Sequence, residues 1–181
     1  EVPWIYADNV IGEEDLKCDP KYNYQFALNI YRDFSPQSQA FEMMQPLVTH
    51  PELRIAGLFT IKANMNIATD EIQEHGFHTD SMFKCKTAVF FINTNNGYTL
   101  FKDGTKVESV ANRIVIFPSD MEHSGTSCTD EKRRLVINFN YFEAEFLDIP
   151  KHRHKYFGIE EPPKQEESII HSPHSDKRII Y

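Results

Sequence analysis

Hydrophobic and polar positions divide this chain into two textures. Between Pro36 and Val48 the apolar residues Phe41, Met44, Leu47 and Val48 recur at helical spacing. Ser35 ahead of Pro36 predicts a helix start, an N-cap followed by proline in the first turn. Tyr22 to Phe34 mixes aromatic and polar residues ambiguously, and the first part of the chain, to about residue 54, reads as helical. From Ile55 onward the pattern changes to short β-rich runs divided by turn residues.

About eight such runs follow, the number in a jelly roll. They are Leu58 to Asn64, a short run around Phe77 to Asp80, Lys86 to Asn93, Tyr98 to Lys102, Thr105 to Val110, Arg113 to Phe117, a short run around His123, and Arg134 to Phe142. Asn95-Asn96-Gly97 and Asp103-Gly104 supply the positive φ angles of tight connections, and Pro118-Ser119-Asp120 punctuates the approach to His123. The expected architecture is mainly β, a double-stranded β-helix (jelly roll) with N-terminal helices packed on one sheet. One domain over residues 1–149, with its jelly-roll core over about 55–149, suits a chain of 181 residues. Residues 150–181 hold Pro162, Pro163 and many charges with few large apolar side chains, and read as an extended arm or tail.

Composition narrows the function classes. A hydrophobic fraction of 40% with 14 Phe and 8 Tyr provides for a packed core. The net charge of −8 argues against general binding to nucleic acid or to an anionic membrane. No apolar run reaches the ~18 residues of a membrane span, and the opening Glu1-Val2-Pro3-Trp4 lacks the build of a signal peptide. Cys18, Cys85 and Cys128 form no disulfide framework, so a reducing, cytoplasmic setting is expected.

The candidate chemistry centres on His78-Thr79-Asp80. Alternate residues of an extended strand share a face, so this imidazole and carboxylate can address one metal ion. His123, on a later strand that a jelly roll can bring alongside, completes two histidines and one carboxylate. This is the facial set of non-haem Fe(II), which leaves coordination positions open. Lys132-Arg133-Arg134 then opens a strong strand, where an arginine fork could bind a carboxylate. Arg134 shares its face with Val136, Asn138 and Asn140, and Arg133 with the more apolar Leu135, Ile137 and Phe139. The polar face is expected to line a cavity, which selects Arg134.

The order HxD, distal His, then Arg opening the last long strand resembles the Fe(II)/2-oxoglutarate-dependent oxygenases, in particular their prolyl 4-hydroxylase-like branch, over about Leu58 to Phe142. The segments IKANMN, EHGFHTD and RRLVINFNYF are similar to small oxygenases of marine bacteriophages. The resemblance implies Fe(II) held by His78, Asp80 and His123, 2-oxoglutarate as cosubstrate with its far carboxylate on Arg134, and O2 as oxidant. The implied reaction is hydroxylation of a peptide or small molecule, with release of succinate and CO2. It also directs attention to Lys62, Asn64 and Tyr98 as cosubstrate contacts. Relatives often carry a tyrosine where this chain has Phe90 or Phe91, and Asn64 is the expected substitute.

Plainer readings accompany these. A His-x-Asp pair also arises as a surface hydrogen-bonded pair. His75, at odd spacing from His78, is expected on the opposite face in a structural role. Lys151 to Lys155, His171 and His174 read as solvated tail residues. The alternative function is a non-enzymatic metal-binding jelly roll, cupin-like or virion-associated, which has no need of Arg134. A zinc hydrolase would require a further acid or base, for which Glu74 and Glu122 are the candidates.

Overall fold

The structure, a computed structural model, describes residues 3–81, 83–144, 170–171 and 176–181. Twelve strands appear among them. In chain order they are β1 (Ile5–Ala7), β2 (Gln25–Arg32), β3 (Ser35–Pro36), β4 (Ile55–Ile67), β5 (Lys86–Phe91), β6 (Tyr98–Phe101), β7 (Lys106–Glu108), β8 (Ile114–Pro118), β9 (His123–Gly125), β10 (Arg133–Glu143), β11 (Ile170–His171) and β12 (Arg178–Ile180). The larger sheet runs β1-β2-β4-β10-β5-β8-β12-β11, with β3 attached to β2, and the smaller runs β7-β6-β9. Bridges from Glu74 to Thr126 and from His78 to His123 lay residues 74–78 along the free side of β9. From β4 to β10 the chain therefore passes back and forth between the sheets, with β6 and β7 a hairpin in the smaller one, and antiparallel pairs wind it into a double-stranded β-helix.

Seven of the eight expected runs are strands at these positions, β4 to β10, and the run around Phe77 to Asp80 is reduced to the single bridge at His78. The helical first part is not found. Residues 25–32 form β2, and Ser35-Pro36 forms β3 rather than a helix start. Among the described residues of that part, helix is confined to two four-residue turns, Ala40–Met43 and Gln45–Val48, and three single 3-10 turns. β2 escapes a simple reading because it is occluded on both faces. Leu28 and Ile30 enter the core while Gln25, Ala27 and Asn29 line a cavity, which erases the contrast that marks a half-buried strand. Among the described residues no helix is long and apolar enough to cross a membrane.

Two apolar clusters hold the sheets. On the outer face of the larger sheet, Leu28, Ile30, Ile61, Ala63, Ile137, Phe139 and Tyr141 pack with Met44 and Leu53. Between the sheets, Val89, Phe91, Phe101, Val107, Val115, Phe117 and Val136 form a second cluster. Part of the segment expected as an arm, β12, extends the larger sheet beside β8, where Lys177 reaches Asp103 and Arg178 reaches Glu143. Lys151 to Lys155 and His174 lie outside the described residues, as does the His171 side chain.

Phe139 is fully buried between β4 and β5, whereas Ile67 ends β4 at 36% exposure. Phe139→Ala should cost about 3–5 kcal/mol, and Ile67→Ala less than about 0.5 kcal/mol. Urea unfolding of the two variants against wild type checks the contrast.

Candidate metal centre and its cavity

β4 and β10 pair over their whole lengths, Arg134 opposite Asn66, Val136 opposite Asn64, Asn138 opposite Lys62 and Asn140 opposite Thr60. Because strand side chains alternate, these eight share one face. They line a cavity of about 730 Å³ that also receives Gln25 and Asn29 from β2, Thr99 from β6, and His75, His78, Asp80 and His123.

His78 and His123 exchange both backbone hydrogen bonds, each N···O distance 3.0 Å. Side chains of such a pair project together, and the two imidazole rings lie 4.6 Å apart. The chain reaches this pairing through Gly76 at φ +136°, where a Cβ would stand 2.2 Å from the Asp15 carbonyl oxygen. Only glycine fits that passage. Asp80 is anchored by its N–H donating to Ser119 O at 3.2 Å.

Asp80 faces both rings, with Oδ1 3.7 Å from His78 Nε2 and Oδ2 3.6 Å from His123 Nε2. These gaps are too long for hydrogen bonds and suit three donors converging on one ion, all within 4.8 Å of one another. His123 Nδ1 lies 3.0 Å from Met121 O; donating there presents the Nε2 lone pair to the centre. Burial, then neighbouring His123, pushes the His78 pKa down, keeping it in the neutral form that coordinates metals. Unpartnered buried atoms cluster here: Asp80 Oδ2, His78 Nδ1, His75 Nδ1, Asn64 Oδ1 and Asn138 Oδ1. Such atoms are rare in folded proteins, and their concentration around one cavity fits a divalent ion and polar ligands.

Arg134 is 2% exposed and Arg133 is exposed. The Arg134 Nε donates to Ser109 Oγ at 2.8 Å and Nη2 to Thr99 Oγ1 at 3.1 Å, while the guanidinium lies 5.6 Å from the centre of the Phe91 ring. Among the described residues it has no carboxylate partner. Burial lowers its pKa to about 10, so it stays charged at neutral pH.

The remaining candidates divide. Lys62 and Asn64 line the cavity. Tyr98 does not: it lies on the opposite face of β6, donating to Glu74 Oε1 at 2.5 Å, and parity gives Thr99 the inward place. His75 departs from the expected opposite face, because Gly76 breaks the pleat. It lines the cavity, with Nε2 3.4 Å from Asn66 Nδ2. Glu74 is engaged by Tyr98, and Glu122 pairs with Lys102 at 2.5 Å, so neither candidate acid of a hydrolase lines the cavity. Ser109 and Thr99 were not foreseen; strand parity alone could have indicated Thr99.

No protein-family model and no curated protein matches the chain. Solved structures do. An oxidoreductase of the 2OG-Fe(II) oxygenase family from Burkholderia pseudomallei is similar at 10% identity over 78% of this chain and 73% of that one, TM-score 0.58. A Pseudomonas putida prolyl-4-hydroxylase aligns at 15% identity over 75% and 76%, TM-score 0.46. An RmlC-like cupin from Desulfovibrio desulfuricans aligns at 14% over 46% and 72%, TM-score 0.38. At such identities the first of these shares the fold, and the residues must argue for the chemistry.

Two outcomes test this geometry. A Cβ at Gly97 would stand 2.5 Å from Ser127 O and 2.7 Å from Arg134 Cδ, so Gly97→Ala should displace Arg134 and weaken carboxylate binding about tenfold or more, roughly 1.4 kcal/mol, by calorimetry. His75, with its pKa lowered to about 4 chiefly by burial, is neutral when folded above that pH and gains a proton near 6.5 when unfolded. Its contribution is therefore full above about pH 6.5 and falls as pH drops toward 4, by on the order of 3 kcal/mol. In chelator-treated protein His75→Gln should flatten the loss of stability across that window, read by urea unfolding at each pH.

Proposed function

We propose that this chain is an Fe(II)- and 2-oxoglutarate-dependent dioxygenase. The observation that carries the reading is Arg134, a buried guanidinium held by two neutral hydroxyls and open to the cavity that contains His78, Asp80 and His123. A buried cation without a counter-ion is costly, and a ligand carboxylate relieves it through charge-assisted hydrogen bonds. A purely structural metal site gives no use for such a cation.

In this reading His78, Asp80 and His123 hold Fe(II). When bound, the ion supplies the redox chemistry by which O2 converts 2-oxoglutarate to succinate and CO2 and hydroxylates a substrate. Arg134 anchors the far carboxylate of 2-oxoglutarate, and Thr99 and Ser109 fix its fork before the ligand arrives. Asn64, one cross-strand row from Arg134 on β4, offers its amide to the cosubstrate. Phe101 and Phe117, which pack edge to face at 4.9 Å beside His123, keep water from the inner side of the centre. Three free thiols, Cys18, Cys85 and Cys128, suit a reducing cytoplasm. The prolyl 4-hydroxylase-like branch favours a peptidyl substrate, with small metabolites as the other class.

Under anaerobic conditions Fe(II) with 2-oxoglutarate should give the weak visible charge-transfer band of a chelated cosubstrate. The band should vanish in His123→Ala. Arg134→Met should weaken 2-oxoglutarate binding by about a hundredfold, roughly 2.7 kcal/mol, while Arg133→Met leaves it unchanged. Metal binding without any effect of 2-oxoglutarate would return the chain to the cupin-like reading.

A further inference from the structure

Lys62 and Asn138 are direct cross-strand partners on the cavity face, and Asn29 of β2 is opposite Lys62 on its other side. The polar row one step along is closed on itself. Thr87 Oγ1 donates to Asn140 Oδ1 at 2.7 Å, and Asn140 Nδ2 donates to Thr60 Oγ1 at 3.1 Å. The Lys62 row is open: Asn138 Oδ1 is buried without a donor, and Lys62 makes no ion pair among the described residues. One row of the cavity is thus satisfied within the protein and its neighbour is not.

This open row is separate from the Arg134 anchor. Asn138 lies four residues beyond Arg134 on β10, about 13 Å of strand. A five-carbon diacid held at Arg134 spans about 5 Å between its end carbons, from four C–C bonds of about 1.5 Å, and turns its near end to the metal centre. Charge points the same way. The cavity's charged residues are Arg134, Lys62, Asp80 and the Arg32–Asp33 pair, besides histidines. A divalent ion at Asp80 and dianionic 2-oxoglutarate at Arg134 balance those two residues, leaving Lys62 as the uncompensated positive charge. Burial, the largest influence on Lys62, pulls its pKa down and Asp80 opposes it, so an arriving anion meets a partly desolvated ammonium.

Resting on the oxygenase reading above, we propose that Lys62 and Asn138 form the substrate subsite, taking a carboxylate on the Lys62 ammonium and an adjacent N–H on the Asn138 amide oxygen. Direct cross-strand partners hold their Cβ atoms about 5 Å apart, close enough for one compact unit to meet both. An α-amino acid unit presents this pairing, either as a small molecule or as the carboxyl end of a peptide. Lys62, expected from the sequence among the cosubstrate contacts, is here assigned to the substrate.

The test is anaerobic calorimetry on the Fe(II)-loaded full chain, with no turnover, titrating first 2-oxoglutarate and then N-acetyl-L-alanine. Wild type should bind the probe at least tenfold more tightly than its methyl ester or its N-methyl analogue. Lys62→Met, checked by its melting temperature and by the parallel variant Lys62→Gln, should lose at least tenfold in probe affinity while its 2-oxoglutarate affinity stays within twofold. Asn138→Leu should lose the discrimination against the N-methyl analogue. Tetra-alanine with a free carboxyl end binding with the same Lys62 dependence supports the subsite with a peptide end as the source; its exclusion, with the small probe bound, supports it with a small molecule. Equal probe affinity in wild type and Lys62→Met overturns the proposal, as does a wild type that binds 2-oxoglutarate but not the probe. A Lys62→Met that loses 2-oxoglutarate instead also overturns it and leaves the oxygenase reading standing. Absence of 2-oxoglutarate binding in wild type sinks both.

Discussion

The two-residue period of the long β4–β10 pair is the constraint on which the rest of this molecule depends. Along the middle of the pair alternate residues, Ile61, Ala63, Ile137, Phe139 and Tyr141, enter the outer core, and the intervening residues build the cavity wall. A slip of one residue would exchange the two sets, burying Lys62 and Arg134 in the core and opening Phe139 to the cavity. The apolar set thus holds the polar set in register. Register shifts occur only beyond Asn140, past the cavity rows. Stability and site geometry are consequences of one pairing.

That constraint also explains what the sequence made legible. The seven jelly-roll strands β4 to β10 stand out because turn residues bound them and because most carry a dry face and a wetter one. His78, Asp80, His123 and Arg134 were readable for the same reason, since parity along a strand decides which residues meet. Parity would equally have chosen Thr99 over Tyr98; the larger aromatic drew attention that its position did not justify. It misled at His75, where Gly76 at φ +136° breaks the pleat, a departure visible only once Asp15 is seen to crowd that passage. β2 was hidden because its cavity face is as occluded as its core face. Ser109 comes to Arg134 from beyond β7, through a contact that no local motif announces.

The two halves of the site carry unequal information. Two imidazoles and a carboxylate around a gap satisfy many divalent ions and many uses, structural ones included. Arg134 is more discriminating. Its side chain is enclosed, its fork is fixed by hydroxyls, and neither hydroxyl carries charge. Desolvating a guanidinium costs several kcal/mol, and two neutral hydrogen bonds at about 1 kcal/mol each do not offset that.

The electrostatics of the whole chain sharpen this point. With a net charge of −8, the surface repels anions at long range, yet the cavity keeps two cations, Arg134 and Lys62, on one pleated face with Asp80 opposite. Repulsion between exposed charges is screened within about 8 Å at physiological ionic strength, whereas charges enclosed together are screened far less. An anion beside Arg134 or Lys62 is therefore attracted at short range despite the acidic net charge of the chain. A fold under selection for stability alone would fill these two positions with apolar side chains that pack as Val136 does. Under the proposed oxygenase reading, retaining both cations would make the anion-filled cavity the more favourable state, and ligand binding and folding stability would be linked through the same two residues.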